Sequence, residues 1–325
     1  MAKTSREDFS CAAATNASAY RRVTVPVLRI EAGPGPAVAL VAGVHGDEWE
    51  GQAAILELWH SLPDSLQRGT VYLLPAANAE ASLAGTRLSP SDGGNLNRAF
   101  LGTPVRGYTE SVAAALEARL LPRIDAMIDV HSGGASLRYL PASVITRYGA
   151  DPCDPRLPAL AQAFGLPHCV FFRSGEDGSM PAAASRHGVL RLSAEIGGGA
   201  ETGAALVRQC RDGLLGCLAY LGLLETRGRA AAPSALYDLD APAATLRARD
   251  GGVFVPAVEL GQAVAAGHEI GQLIEPARPD LPPRALASPQ AGTVVCLRAM
   301  ARSDDGDCLL QVAPARALDS LAELY

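Results

Sequence analysis

Ala37-Val38-Ala39-Leu40-Val41-Ala42-Gly43 runs directly into Val44-His45-Gly46-Asp47-Glu48-Trp49-Glu50-Gly51. An unbroken apolar run of this length, closed by glycine, reads as a strand buried on both faces. It ends in an imidazole and a carboxylate three positions apart, so one turn presents two metal-capable groups. His45 offers a ring nitrogen and Glu48 an oxygen, both zinc ligands at about 2.0–2.2 Å, and Gly46 between them lets the backbone turn. A lone His-x-x-Glu pair equally suits a solvated loop or a helix N-terminus, so the metal reading needs a third ligand.

Asp129-Val130-His131-Ser132-Gly133-Gly134 supplies one. Pro122 closes a helical stretch, and Ala126-Met127-Ile128-Asp129-Val130 then reads as another buried strand, which puts His131 just past its carboxyl end. The two histidines therefore share a rim. Three protein ligands with an open fourth position describe catalytic zinc, which lowers the pKa of a bound water to about 7. Cobalt or manganese would suit the same donors. Asp129 shares a strand face with His131 by period two, either to orient that ring or as a buried structural acid.

The chain has 325 residues, a prior for about two domains. It is 48% hydrophobic and 19% charged, which is globular composition. A net charge of −6 without a basic stripe argues against nucleic acid as a partner and leaves a small molecule. The seven cysteines form no Cys-x-x-Cys pair, which suits a reducing compartment and a cytoplasmic location. No signal-peptide core or membrane-length apolar run is present. Lys3 is the only lysine, which excludes a pyridoxal Schiff base, a phosphate-loop lysine and a lipoyl or biotinyl attachment from the folded body.

After an N-terminal extension over 1–22, Arg22 to Ile30 alternates as one edge-type strand containing Pro26. Gln52 to Leu62 carries a helical apolar stripe stopped by Pro63, and Val71 to Leu74 is the next strand. Cys169 to Phe172 and Val189 to Glu195 read as strands, and a long helix follows from about Glu201 to Leu224. Strands alternating with helices at this spacing predict an α/β domain whose mainly parallel sheet has helices on both faces. His60, His168, His187 and His268 lack a matched context and read as structural or surface residues.

Between the histidines, Thr86 to Phe100 reads as an ordered polar loop over the strand rim, where binding residues collect. Arg98 is a natural fork for a carboxylate, with Asn97 beside it as a further donor. Glu195 ends its strand before Gly197-Gly198-Gly199, either as a general base beside the metal or as a charge preceding the next helix.

His45-Gly46-Asp47-Glu48, Asn97-Arg98, His131-Ser132-Gly133 and Glu195-Ile196-Gly197, in that order, resemble the succinylglutamate desuccinylase and aspartoacylase family, relatives of the zinc carboxypeptidases. The resemblance covers about residues 23 to 225. It implies a carboxypeptidase-like α/β fold and a zinc-dependent hydrolase of N-acyl amino acids with one Zn²⁺. By that match His45, Glu48 and His131 are the metal ligands, Asn97 and Arg98 the carboxylate clamp, and Glu195 the catalytic carboxylate. Arg87 resembles the arginine that polarises the scissile carbonyl, and is otherwise a surface cation. This chain has Asn95 where the family usually carries an Asp, and its loop from Arg87 to Asn97 is longer. The run Gly85 to Pro90 with Asp92-Gly93-Gly94 resembles a bacterial branch that includes N-acetyl-2,4-diaminobutyrate deacetylases. Alternatives are a metallocarboxypeptidase acting on peptides, and a zinc-free binding or scaffold protein.

Glu225 to Pro233 reads as a linker into an all-β domain over 234–325. Gly251 to Pro256 and Ala291 to Val295 each open a half that reaches a glycine turn, at Gly267 and Gly306. The pattern resembles biotinyl or lipoyl domains, without their lysine. Such a unit shapes the pocket, makes a homo-oligomer contact or caps the fold.

Overall fold

The main elements, in chain order, are β1 (Lys3–Arg6), β2 (Phe9–Ala12), β3 (Arg22–Val25), β4 (Leu28–Glu31), β5 (Ala37–Val41), α1 (Trp49–Ser61), β6 (Thr70–Leu74), α2 (Ala79–Ala84), α3 (Tyr108–Arg119), β7 (Ala126–His131), β8 (Leu137–Tyr148), α4 (Leu157–Phe164), β9 (His168–Ser174), α5 (Met180–Arg186), β10 (Leu190–Gly198), α6 (Ala204–Tyr220) and β11 (Ala235–Asp238), followed by short strands. They belong to a computed structural model that describes residues 2–14, 18–102, 105–149, 153–174, 178–225 and 235–324. The linker expected at 225–233 lies, beyond Glu225, outside the described residues.

β6, β5, β7 and β10 are successive parallel neighbours at the centre of one large sheet. Antiparallel β4 and β1 extend it on one side, and β8 joins β10 antiparallel on the other. Period two is visible in the packing: Val38, Leu40 and Ala42 enter one apolar core with α1, α4 and α6, whereas Ala39 and Val41 enter another with α3 and α5. Both faces are covered, which is why β5 reads as a continuous apolar run. The fold is α/β, as the element pattern predicts.

Pro26 divides the expected strand from Arg22 to Ile30. β3 pairs with β2 in a separate ribbon while β4 enters the main sheet, because proline cannot donate a ladder bond. The sequence pattern also predicts no strand between His131 and Cys169, yet β8 is there, interrupted by Pro141. Ala142 faces Glu195 and Tyr139 faces Gly197, so β8 carries an extra residue where proline sits, a β-bulge. The other edge of β8 changes partner at the same point, pairing with β9 from Ala142 onward and with Gly292–Arg298 at Leu137 to Tyr139.

The region after residue 235 holds antiparallel strands arranged as two interlocked halves. Gly252–Pro256, Ala263–Val264 and Glu269–Ile274 form one, and Gly292–Arg298, Arg302–Ser303 and Cys308–Ala313 the other. Each short strand pairs with the long strand of the opposite half. This internal repeat is tied to the central sheet through β8, and β11 ahead of it pairs parallel with β9. No helix among the described residues is long and apolar enough to cross a membrane.

α6 packs closely on α4. A Cβ on Gly213 would stand 2.2 Å from the ring of buried Phe164, and one on Gly216 would stand 2.1 Å from the Ala163 carbonyl oxygen. Helix propensity alone favours alanine over glycine by about 1 kcal/mol. The close approach outweighs it here, so Gly213→Ala is expected to destabilise the fold by about 1–3 kcal/mol, read from the denaturant midpoint. A raised midpoint would contradict this packing.

Candidate active site

His45 and His131 both lie at the carboxyl ends of parallel strands, His45 four residues beyond Val41 and His131 as the last residue of β7. Glu48 forms the N-cap of α1 in extended conformation, so strand, turn and helix succeed one another within one short stretch. Gly46 is needed for room, since a Cβ there would meet the Ala81 carbonyl at 2.0 Å. The turn expected at Gly46 is present, the Glu48 amide donating to the His45 carbonyl at 3.4 Å across Gly46 and Asp47, and the left-handed residue just before it is Gly43, with φ of +67°.

The carboxylate of Glu48 spans the two rings. Its Oε1 lies 2.7 Å from His45 Nδ1 and its Oε2 lies 2.8 Å from His131 Nδ1. The Ser132 amide also donates to Oε2, at 3.3 Å. All three side chains are buried, and one donor atom from each lies within 4.8 Å of the others. The outer nitrogens are held as well: His131 Nε2 meets Asp129 Oδ2 at 2.9 Å and His45 Nε2 meets Asn95 Oδ1 at 3.2 Å. With Nε2 donating to these acceptors, each Nδ1 would be able to offer a lone pair to an ion lying between the rings and Glu48. Two imidazole nitrogens and a carboxylate oxygen suit a divalent transition ion, so His45, Glu48 and His131 could hold one.

Burial works to raise the Glu48 carboxyl, but the imidazoles of His131 and His45 outweigh it and hold its pKa below the usual carboxylate range. His131 moves the opposite way: burial would lower it, and Asp129 and Glu48 lift it well above the ordinary histidine value.

β10 brings Glu195 to the same place. It is the direct register neighbour of His131 on the adjacent parallel strand. Parity puts both on one face, because Leu192, Ala194 and Ile196 enter the opposite core, as do Ile128 and Val130. Burial, with Glu48 close by, pushes the Glu195 carboxyl up to about 8 against the pull of His131 and Arg87. Its Oε2 is shielded from solvent and has no hydrogen-bond partner among the described residues.

The loop from Thr86 to Phe100 is ordered by its own polar anchors. Asp92 accepts from the Thr109 amide at 2.8 Å, the Thr109 hydroxyl at 2.7 Å and the Gly94 amide at 3.0 Å, pinning the loop to the start of α3. Buried Ser89 accepts from Asn78 Nδ2 at 2.9 Å. A single turn, Leu96–Arg98, follows, capped by Asn95, whose Oδ1 also accepts from the Asn97 amide at 2.9 Å. Asn97 Oδ1 takes the Met180 amide at 3.1 Å, leaving its NH₂ as a donor. Arg98 is exposed, has no ion pair among the described residues, and lines a cavity of about 370 Å³ with Asn95 and Arg106. Arg87 reaches in from the rim to donate to Glu48 Oε1 at 3.2 Å.

The structure brings His45, Glu48, His131 and Arg87 together, with Glu195 in register beside His131, whereas Asn97 and Arg98 adjoin this group through Asn95 and Arg98 faces a cavity whose lining includes none of those five. Nothing in the sequence pattern marks Asn95 as the partner of His45; it stands out only as a departure from the family Asp. Asp47 is also unmarked, and its Oδ2 accepts from the Ala135 amide at 2.9 Å to tie the two histidine loops together. If His131 is a ligand oriented by Asp129, Asp129→Asn lowers divalent-metal affinity by about 10–100-fold in a chelator competition, with the circular dichroism unchanged. Unaltered affinity would remove that role.

The family model for the succinylglutamate desuccinylase/aspartoacylase catalytic domain matches residues 34–221. The chain is 31% identical to the N-alpha-acetyl-L-2,4-diaminobutyric acid deacetylase of Halomonas elongata, over 91% of this chain and 87% of that protein. It superposes on the product-bound ectoine utilization protein EutE (DoeB) from Ruegeria pomeroyi with a TM-score of 0.88 and 27% identity, over 96% and 95% of the two chains. A succinylglutamate desuccinylase/aspartoacylase from Rhodobacter sphaeroides matches with a TM-score of 0.87 and 31% identity over the same shares. The chain belongs to the succinylglutamate desuccinylase/aspartoacylase family.

Proposed function

We propose that this chain is a zinc-dependent amidohydrolase that removes a small acyl group, acetyl first among them, from an N-acylated amino acid. The observation that carries the reading is a buried cluster of two imidazole nitrogens and a carboxylate, with Glu195 in register beside it. A histidine–carboxylate triad alone would serve a storage or scaffold site, but a half-buried acid with a solvent-shielded, unpartnered oxygen next to it serves proton transfer. The name of the Halomonas relative makes Nα-acetyl-L-2,4-diaminobutyrate the first substrate to try.

Zinc held by His45, Glu48 and His131 supplies Lewis acidity toward the scissile carbonyl and the attacking water. The protein groups do the rest. Arg98 and the NH₂ of Asn97 hold the substrate carboxylate, a planar fork meeting a planar anion. Arg87 swings from Glu48 to the carbonyl oxygen as negative charge builds there. Glu195 accepts a proton at Oε2 and delivers it to the leaving nitrogen.

Hydrolysis of N-acetyl, N-succinyl and N-formyl amino acids by the purified protein tests the reading. Acetyl release with one zinc per chain, abolished by a chelator and restored by zinc, is expected. Full zinc occupancy without turnover of any of them, or turnover that survives complete metal removal, would overturn it. Glu195→Gln is expected to keep its metal and lose about 10²–10⁴ in kcat. The base works ionised, so kcat/KM falls as pH drops through the Glu195 pKa, which a bound cation brings below the value of about 8. That acidic limb disappears in Glu195→Gln; its persistence would assign the base elsewhere.

A further inference from the structure

Glu50 takes no part in the chemistry above, yet its side chain is among the most deeply buried acids, with 1% of the residue exposed. A carboxyl is costly to bury, so its contacts are informative. It stands in the first turn of α1, two residues after Glu48, and crosses beneath the rim to the end of β10. There its Oε1 accepts from the Gly198 amide at 3.2 Å. The same oxygen lies 2.7 Å from where a Cβ of Gly197 would stand.

The backbone it grips needs holding. Gly197, Gly198 and Gly199 have φ of +80°, +120° and +79°, a left-handed run that only glycine adopts readily and whose shape is set by outside contacts, the Gly199 amide donating to the Gly134 and Leu137 carbonyls at 2.6 and 2.9 Å. The β8 bulge at Pro141 lies opposite Ile196, so the ladder that fixes Glu195 shifts register immediately after it. Gly198 is packed against the Leu137 carbonyl and Gly133, while Glu50 supplies the contact from the helix side. One carboxyl thus links the helix that begins at Glu48 with the strand end that carries Glu195.

We propose that Glu50 is a positioning residue that acts through Glu195: its carboxyl fixes the Gly197–Gly199 turn and thereby sets the Glu195 carboxylate against the His45–Glu48–His131 cluster. The catalytic half of this rests on the hydrolase reading; the mechanical half does not.

The test uses the full-length, zinc-loaded protein with Glu50→Met, which keeps length but loses the acceptor, and Glu50→Gln, which keeps both. Amide exchange at Gly198 is expected to quicken by about tenfold or more in Glu50→Met while Leu40 in β5 is unchanged, and to stay near wild type in Glu50→Gln. In the same variants kcat falls by about 10–100-fold for Met and by no more than about threefold for Gln, with KM and zinc content steady. In a Glu195→Gln background the Met substitution adds less than about twofold, because the residue it positions is already disabled. Unchanged Gly198 exchange, multiplicative losses in the double variant, or a Gln variant as impaired as Met would each overturn the proposal. Should Glu50→Met fail to fold, Glu50→Gln decides alone, and a tenfold loss or faster Gly198 exchange in it counts against the role. An inactive wild-type protein would sink the hydrolase reading, and Gly198 exchange would still settle whether Glu50 is the brace.

Discussion

The carboxylate of Glu48, reaching two imidazoles at 2.7 and 2.8 Å, is the contact around which the rest of the structure is arranged. Its oxygens face rings delivered by two different strands, so β5 and β7 must stay in register for both to be met. Burial disfavours an ionised acid, and only close positive or polarised partners keep it charged. The sheet provides rigidity, and the helix that starts at Glu48 anchors the acid from the other side. Asp129 and Asn95 complete the frame by fixing the far edge of each ring.

Much of this is legible in the chain because strong physical signals carry it. Ala37 to Gly43 has to be a central strand, since nothing else buries both faces of so short an apolar run. His45 and His131 each follow such a strand, and parallel strands align their ends, so the shared rim follows from topology. The parity of Asp129 with His131 is likewise a period-two statement, and the 2.9 Å contact between them is its geometric form.

What the chain hides is set by contacts distant in sequence. β8 is masked by Pro141, which argues against a strand until the bulge that accommodates it is seen. The contact of Asn95 with His45 depends on a loop whose path is set by Asp92 and Thr109, and no local pattern encodes that path. Glu50 sits in plain view beside Glu48, but its meaning depends on Gly198, which lies 148 residues away. The two halves of the C-terminal region are visible as a repeat, whereas their exchange of short strands and their attachment to β8 are long-range pairings.

The proposed hydrolase requires one ion gripped by His45, Glu48 and His131 from two strand ends. Anomalous diffraction at the zinc edge from crystals grown with zinc measures this directly. A single strong peak about 2.0–2.2 Å from His45 Nδ1, a Glu48 oxygen and His131 Nδ1 is predicted, with Glu195 alongside. Zinc bound only elsewhere, with His45, Glu48 and His131 still hydrogen-bonded to one another and no ion between them, would contradict it.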